Sequence, residues 1–209
     1  MKTTNHYLDE IKEIRKMMEH STRFLSLSGL SGILVGTYAL IGAYIAYKLI
    51  YIPGSLYYRE YYSNEVLGEM LLLAAALLVL SFVTIVWLTT SKVKRKAEKF
   101  WSAGTRMLLI NLAIPLVTGG LFILIFLFRG VYAVVAPSCL IFYGLALVNA
   151  AKYTRREIFF MGLLEIVLGL FSAPFPGMGL LFWVIGFGVI HILYGSIMYF
   201  RYERKTLQA

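Results

Sequence analysis

Two ionisable residues lie near the middle of long apolar runs close to the end of the chain. Glu165 falls within Ile158–Ala173, and His191 falls within Met178–Phe200. A charged side chain at the centre of a bilayer costs about 2.5–3.5 kcal/mol on insertion scales, so such residues face neighbouring helices or cavities and have partners. A short Pro/Gly turn joins the two runs and makes them antiparallel neighbours. We therefore expect Glu165 and His191 to meet.

Small residues surround both ionisable positions at helical spacing. Glu165 shares a helical face with Gly162 and Gly169, and His191 shares one with Gly188 and Gly195. Small residues allow another helix to approach closely, so both polar side chains should point into the bundle. Each lies about 12–14 Å from the same end of its helix, at 1.5 Å per residue. Asn111 and Asn149 lie nearer to that same end of the bundle. We expect a polar cluster in this half of the bundle, with Tyr194 as a further member.

Three roles are open for the Glu165–His191 pair. It could hold two helices together, although interhelical hydrogen bonds in membranes average only about 0.6 kcal/mol. It could line a pocket for a ligand or substrate. It could also bind protons, because histidine titrates near neutral pH and a carboxyl group responds strongly to its surroundings.

The remaining residues give no sign of catalysis. The chain has no HExxH, CxxC, P-loop, GxSxG or dinucleotide-binding pattern. Its three histidines lie far apart, and the single cysteine, Cys139, sits in an apolar run where a packing role is typical. We therefore expect a protein that is not an enzyme and that has neither a metal ion nor a cofactor.

Composition indicates an all-α membrane protein. Hydrophobic residues make up 59% of the 209 residues and charged residues 15%, against about 25% charged in soluble domains. About 20 apolar residues suffice for one membrane-spanning helix. The sequence predicts six spans in one membrane domain, residues 24–200, at about 24–50, 66–90, 107–128, 131–151, 158–173 and 178–200.

The distribution of basic residues predicts the orientation. Of the 20 Lys and Arg, 17 lie before the first span, in the second and fourth loops, and in the tail 201–209. The positive-inside rule then places both termini in the cytoplasm. The net charge of +9 is better explained by these loops and by contact with anionic lipids than by nucleic acid.

The first 23 residues predict an amphipathic helix, because Tyr7, Ile11, Ile14 and Met18 fall on one face. Such a helix could lie on the lipid headgroups, or form a short coiled coil that makes a homodimer. The connection Tyr51–Glu65 holds five tyrosines, which is typical of an interfacial belt and less so of a binding lip. At the start of the first span the small residues Ser28, Gly32 and Gly36 predict close helix packing.

Two stretches carry a resemblance to known families. They are RKMMEHSTRFLSLSGLSGILVG near the start and GFGVIHILYGSIMYFRYE near the end, and they resemble an uncharacterised group of small bacterial six-helix membrane proteins. The last hairpin, with Gly162, Gly169, Pro174, Pro176 and later glycines, is similar to that of the acid-resistance membrane protein family. Either resemblance implies a bacterial inner membrane. Neither carries over a functional residue.

Three classes of function follow. The preferred one is a non-enzymatic sensor or regulatory membrane protein that works through a cytoplasmic partner bound by residues 1–23. The second is a small transporter or channel built as a dimer. The third is a membrane enzyme acting on lipid, which ranks last because only one His–Glu pair is present.

Overall fold

The structure is a computed structural model that describes residues 28–50, 64–95 and 100–204. These residues form helices and no strand. The first five helices are α1 Gly29–Ile50, α2 Asn64–Arg95, α3 Ala103–Phe128, α4 Val135–Ala150 and α5 Arg156–Ser172. A last rod follows in three consecutive parts: α6 Gly179–Trp183, a π-helical segment Val184–Ile190, and α7 His191–Tyr202. Single 3-10 turns flank α4 and precede α6, at Tyr132–Val134, Ala151–Tyr153 and Pro176–Met178.

Five segments are long and apolar enough to cross a membrane. They are Gly29–Leu49, Glu65–Arg95, Ala103–Phe128, Tyr132–Tyr153 and Pro176–Tyr202. The all-α, multi-pass character predicted from the sequence is thus confirmed. The stretch predicted as the fifth of six spans is also helical, but α5 has 17 residues, or about 26 Å, against a hydrocarbon core of about 30 Å. A membrane span at α5, which would bring the total to six, therefore remains a prediction.

The ends of two helices differ from the predicted spans. Helix α2 continues to Arg95, so Lys92, Lys94 and Arg95 form its last turn, where positive charge is favourable beside the helix dipole. Helix α3 begins at Ala103, and the Ser102 side chain accepts a hydrogen bond from the Thr105 N–H at 3.2 Å. Both differences arise because helix boundaries follow capping as well as hydropathy.

The predicted tight connection at Arg129-Gly130 joins α3 to α4. Gly130 has φ of 76°, a left-handed conformation that glycine adopts without strain. Its N–H donates to the Leu127 carbonyl at 3.0 Å, and the Val131 N–H donates to the Phe126 carbonyl at 2.9 Å. These two bonds are those of a Schellman motif, which ends α3 and turns the chain back along it.

The centre of the bundle consists of α1, α4, α5 and the last rod, with α2 packed on α1 and α3 packed on α4. Small residues set the separation between these helices. A Cβ atom added to Gly144 would lie 2.6 Å from the Gly162 carbonyl oxygen, and one added to Gly36 would lie 2.7 Å from that of Gly188. Helices α4 and α5, and likewise α1 and the last rod, thus meet backbone to backbone, as the spacing of small residues predicts.

Two carboxylates fasten the end of α7. Glu203 accepts hydrogen bonds from the Gly29 N–H at 2.5 Å and the Ser28 hydroxyl at 3.4 Å, and it pairs with Lys92 at 2.9 Å. Glu157, in the first turn of α5, accepts the Tyr202 hydroxyl proton at 2.6 Å. The final turn of the chain's last helix is therefore tied to α1 and α2 on one side and to α5 on the other.

The predicted amphipathic helix at residues 1–23 lies outside the described residues. So do residues 51–63, which hold the tyrosines of the first connection, and most of the tail, residues 205–209.

Candidate functional site

The predicted meeting of Glu165 and His191 takes place in the structure. Glu165 projects from the middle of α5 and His191 from the first residue of α7, with the Oε1 and Nδ1 atoms 3.8 Å apart. The Glu165 side chain is fully buried, and His191 is 6% exposed. They lie about 14 Å and 16 Å from the Arg156 and Tyr202 ends of their helices, at 1.5 Å per residue. The contact expected from the sequence is therefore present in the structure.

Two hydrogen bonds indicate which nitrogen of the His191 ring carries the hydrogen. Its Nδ1 lies 3.1 Å from the Gly186 carbonyl oxygen, and its Nε2 lies 2.7 Å from the Tyr143 hydroxyl. A carbonyl oxygen can only accept, so Nδ1 carries the hydrogen and Nε2 accepts the proton of the Tyr143 hydroxyl. The arrangement suits a neutral imidazole with both nitrogens satisfied.

The carbonyl that accepts from His191 belongs to the π-helical segment. Gly186 is the third residue of Val184–Ile190 and lies five residues before His191. Wide turns of this type are rare and usually confined to one turn, and they occur often at functional sites. The ring of His191 is thus bonded directly to irregular backbone in its own helix.

The Glu165 carboxyl group lacks hydrogen bonds. Among the described residues, neither of its oxygens has a donor within bonding distance. Gly186 leaves room for the group, because a Cβ atom added there would lie 2.5 Å from Oε2. A buried carboxylate without a partner is costly, and proteins avoid the cost by binding a proton or a counter-charge. Binding of a proton or of a counter-charge is therefore the chemistry that this arrangement allows.

An aromatic column runs along the last rod and includes His191. Trp183, Phe187 and His191 recur every four residues, with ring centroids 5.0 Å apart for the first pair and 5.8 Å for the second. Tyr143 lies beside the column, 5.0 Å from Phe187 and 5.3 Å from His191. Such offset contacts hold rings in fixed positions. The column therefore fixes the orientation of the imidazole.

The other predicted members of the polar cluster lie elsewhere. Asn149 donates to the backbone oxygen of Asn111 at 3.4 Å, and the Asn111 side chain donates to Met107 of its own helix at 2.8 Å. Neither amide bonds to Glu165 or His191, so these residues form a separate contact between α3 and α4. Tyr194 is half-buried and also forms no hydrogen bond with the pair. The described contacts thus join Glu165 with His191 and Asn111 with Asn149, but they do not connect these two pairs. Asn149 is the penultimate residue of α4, whereas Glu165 lies well inside α5.

Two participants were missed by sequence reasoning. Tyr143 is one of 15 tyrosines, and nothing in its sequence neighbourhood distinguishes it. Gly186 has the spacing of a packing glycine, and no sequence signal shows that its carbonyl bonds to His191.

Within the described ranges, no three His, Cys, Asp or Glu side chains come together as a metal-binding group. Comparisons with known protein families, with characterised proteins and with solved structures find no match to this chain.

Proposed function

We propose that this protein is a proton-responsive regulatory membrane protein, with Glu165 and His191 as the responsive pair. The observation that carries the proposal is the fully buried Glu165 carboxyl group, which has no hydrogen bond to any residue that the structure describes and lies 3.8 Å from the His191 ring. Intramembrane ionisable groups mark proton relays and functional sites by default.

The geometry argues against a simple clasp between two helices. A clasp would place a donor of His191 within about 3 Å of the carboxylate. Here the Nδ1 hydrogen is used by the Gly186 carbonyl, and the carboxyl oxygens are left without a donor. In this state the pair therefore contributes little attraction between α5 and the last rod. A role in binding protons explains the cost of burying the pair better than a role in stabilising the fold.

Loss of the Glu165 proton would change the hydrogen bonds of His191. A negative charge 3.8 Å from Nδ1 attracts the Nδ1 hydrogen away from the Gly186 carbonyl. If the ring itself takes the proton, both nitrogens become donors, and the Tyr143 oxygen must accept instead of donate. Each outcome alters a bond between the ring and α4 or between the ring and the π-helical segment. Proton binding is thereby linked to helix position.

The topology that goes with this proposal has six spans and both termini in the cytoplasm. It is supported by the even number of helical passes, with α5 as the short one, and by the distribution of basic residues. The bacterial inner membrane is the proposed location. A homodimer and a cytoplasmic protein partner, reached through residues 1–23, complete the proposal. The proposal includes no nucleic-acid partner.

A proton-coupled transporter or channel is the second candidate, favoured by the depth of Glu165 in the bundle. Proteoliposomes containing a trapped pH-sensitive dye separate the two functions. A transporter dissipates an imposed pH gradient faster than empty vesicles and loses this activity in Glu165→Gln. A regulator leaves the gradient intact. An enzyme acting on lipid ranks third, because it would need a cluster of His and Asp or Glu side chains, and only one such pair is found among the described residues.

Infrared difference spectroscopy of the reconstituted protein tests proton binding itself. We expect a band from a protonated, buried carboxyl group that changes with pH and is absent in Glu165→Gln. The matched control is Glu69→Gln, because Glu69 is an exposed carboxylate on α2. If the band persists in Glu165→Gln, or is lost in Glu69→Gln instead, Glu165 is not the proton-binding group and the proposal fails.

A further inference from the structure

An apolar cavity lies at the end of the bundle opposite to Glu203. Its volume is about 250 Å³, and its walls come from α1, α2, α4, α6 and the 3-10 turns beside them. One wall is a stripe on α2 formed by Leu67, Met70, Ala74 and Leu77, spaced by three and four residues and so on one helical face. This stripe faces the cavity, since α2 packs chiefly along α1.

The chemistry of the walls selects an apolar occupant. Among the described residues, no charged side chain, carboxyl group or amide side chain lines the cavity, and the polar side-chain atoms in its walls are those of Tyr132, Cys139 and Trp183. Water needs two to four polar partners to occupy a buried site. A polar solute would lose its hydrogen bonds on entry. The walls also belong to segments long and apolar enough to cross a membrane, where the solvent is lipid.

The size of the cavity suits a segment of a hydrocarbon chain. An apolar cavity of about 150 Å³ already takes up benzene, and this one has about 250 Å³. Ala46 on α1 and Ala136 on α4 line it with small side chains.

We propose that this cavity binds a single acyl chain of a phospholipid from the surrounding bilayer. The site is separate from the proton-binding pair, and the proposal holds whether or not Glu165 titrates. One residue joins the two regions: Trp183 lines the cavity and also begins the ring column that leads through Phe187 to His191. A bound chain would therefore rest on the ring that supports the imidazole.

Fluorescence quenching by brominated lipid tests the site. The Trp87→Phe/Trp101→Phe protein keeps Trp183 as its only tryptophan, and both replaced rings are 66% exposed, so the fold does not depend on them. It is reconstituted in vesicles of phosphatidylcholine with bromine on the acyl chain. We expect quenching of Trp183 that falls about twofold when Ala46→Phe fills the cavity.

Two further variants make the result decisive. Ala136→Phe fills the cavity from the opposite wall and should have the same effect as Ala46→Phe, which protects the test against misfolding of either variant. Ala76→Phe adds the same ring to an exposed position on α2 outside the cavity walls, and quenching should match that of the parent protein. Absence of quenching in the parent, or equal quenching in all four proteins, overturns the proposal.

Discussion

Replacing Gly186 by alanine tests whether this glycine makes room for the Glu165 carboxyl group. The added Cβ would lie 2.5 Å from Glu165 Oε2 and 3.3 Å from its Cδ, and it would also contact the Leu140 side chain. Inserting a methyl group into a packed interior costs about 1–3 kcal/mol. The gain in helix propensity from glycine to alanine returns at most about 1 kcal/mol. We expect a net loss of about 1–2 kcal/mol in the free energy of unfolding.

A double-mutant cycle shows whether the carboxyl group is the cause. Glu165→Ala removes one of the two side chains that the added methyl group meets, the other being Leu140. Gly186→Ala should therefore cost less in that background than in the wild type, and the coupling should exceed the roughly 0.5 kcal/mol typical of independent sites. The matched control is Gly120→Ala, because an added Cβ there meets no atom within 4 Å. This control should be neutral or slightly stabilising.

Unfolding in mixed micelles of mild detergent and dodecyl sulfate, followed by tryptophan fluorescence, provides the free energies. Additive effects of Gly186→Ala and Glu165→Ala would refute the reasoning, since they would mean that the methyl group and the carboxyl group do not compete for space. A loss in Gly120→Ala as large as that in Gly186→Ala would refute it as well, because helix propensity alone predicts the opposite sign.

Three further predictions use the same unfolding assay. Tyr143→Phe removes the hydroxyl that bonds to His191 but keeps the ring contacts, so we expect a loss of about 0.6–1.7 kcal/mol; no loss would mean that the bond does not form. Gly130→Ala places a side chain at φ of 76° and should cost about 1 kcal/mol, whereas a gain would exclude the left-handed turn. The third concerns Glu157: partial burial disfavours its charged form, but the Tyr202 hydrogen bond and neighbouring arginines outweigh this and lower the pKa of the carboxyl. Since the folded pKa lies below the unfolded one, this stabilisation is present above the ordinary glutamate pKa and is lost as the pH falls through the folded value. The unfolding free energy of the wild type should therefore fall more steeply than that of Glu157→Gln between about pH 5 and pH 3, and equal slopes would contradict the assignment.

The contact between Glu165 and His191 was predictable because it depends on local features. The Pro/Gly turn makes α5 and the last rod antiparallel neighbours, and helix rise per residue places the two side chains at matching depth. Burial was predictable from the flanking glycines. The helices that surround the His191 ring could not be predicted from these glycines. Gly188 and Gly195 approach α1, whereas the His191 ring contacts Tyr143 of α4 and Glu165 of α5.

Position along a helix and direction around it explain which residues lie apart from the pair and which were missed. Asn149 is the penultimate residue of α4, and it bonds to Asn111 in the α3–α4 contact, whereas Glu165 lies well inside α5. Tyr143 has the right direction, yet this depends on how α4 packs against α5, with a Cβ on Gly162 only 2.7 Å from the Gly144 oxygen. Such distances follow from the assembled bundle, and periodicity within one helix does not contain them.

The π-helical segment connects the Glu165–His191 pair to the backbone of the last rod. In a regular helix each carbonyl accepts an N–H four residues later, and a side chain has no part in that ladder. Here the Gly186 carbonyl accepts from the His191 ring at 3.1 Å, while the His191 backbone N–H donates to Gly188. In the proposed function, a charge on Glu165 competes for that same ring hydrogen and so acts on the backbone of the last rod without an intermediate residue. A glutamate–histidine pair whose ring bonds to no backbone carbonyl lacks this direct link. The irregular turn therefore supports the proposal that a proton bound in the interior alters the last helix, whose far end is fastened to α1, α2 and α5.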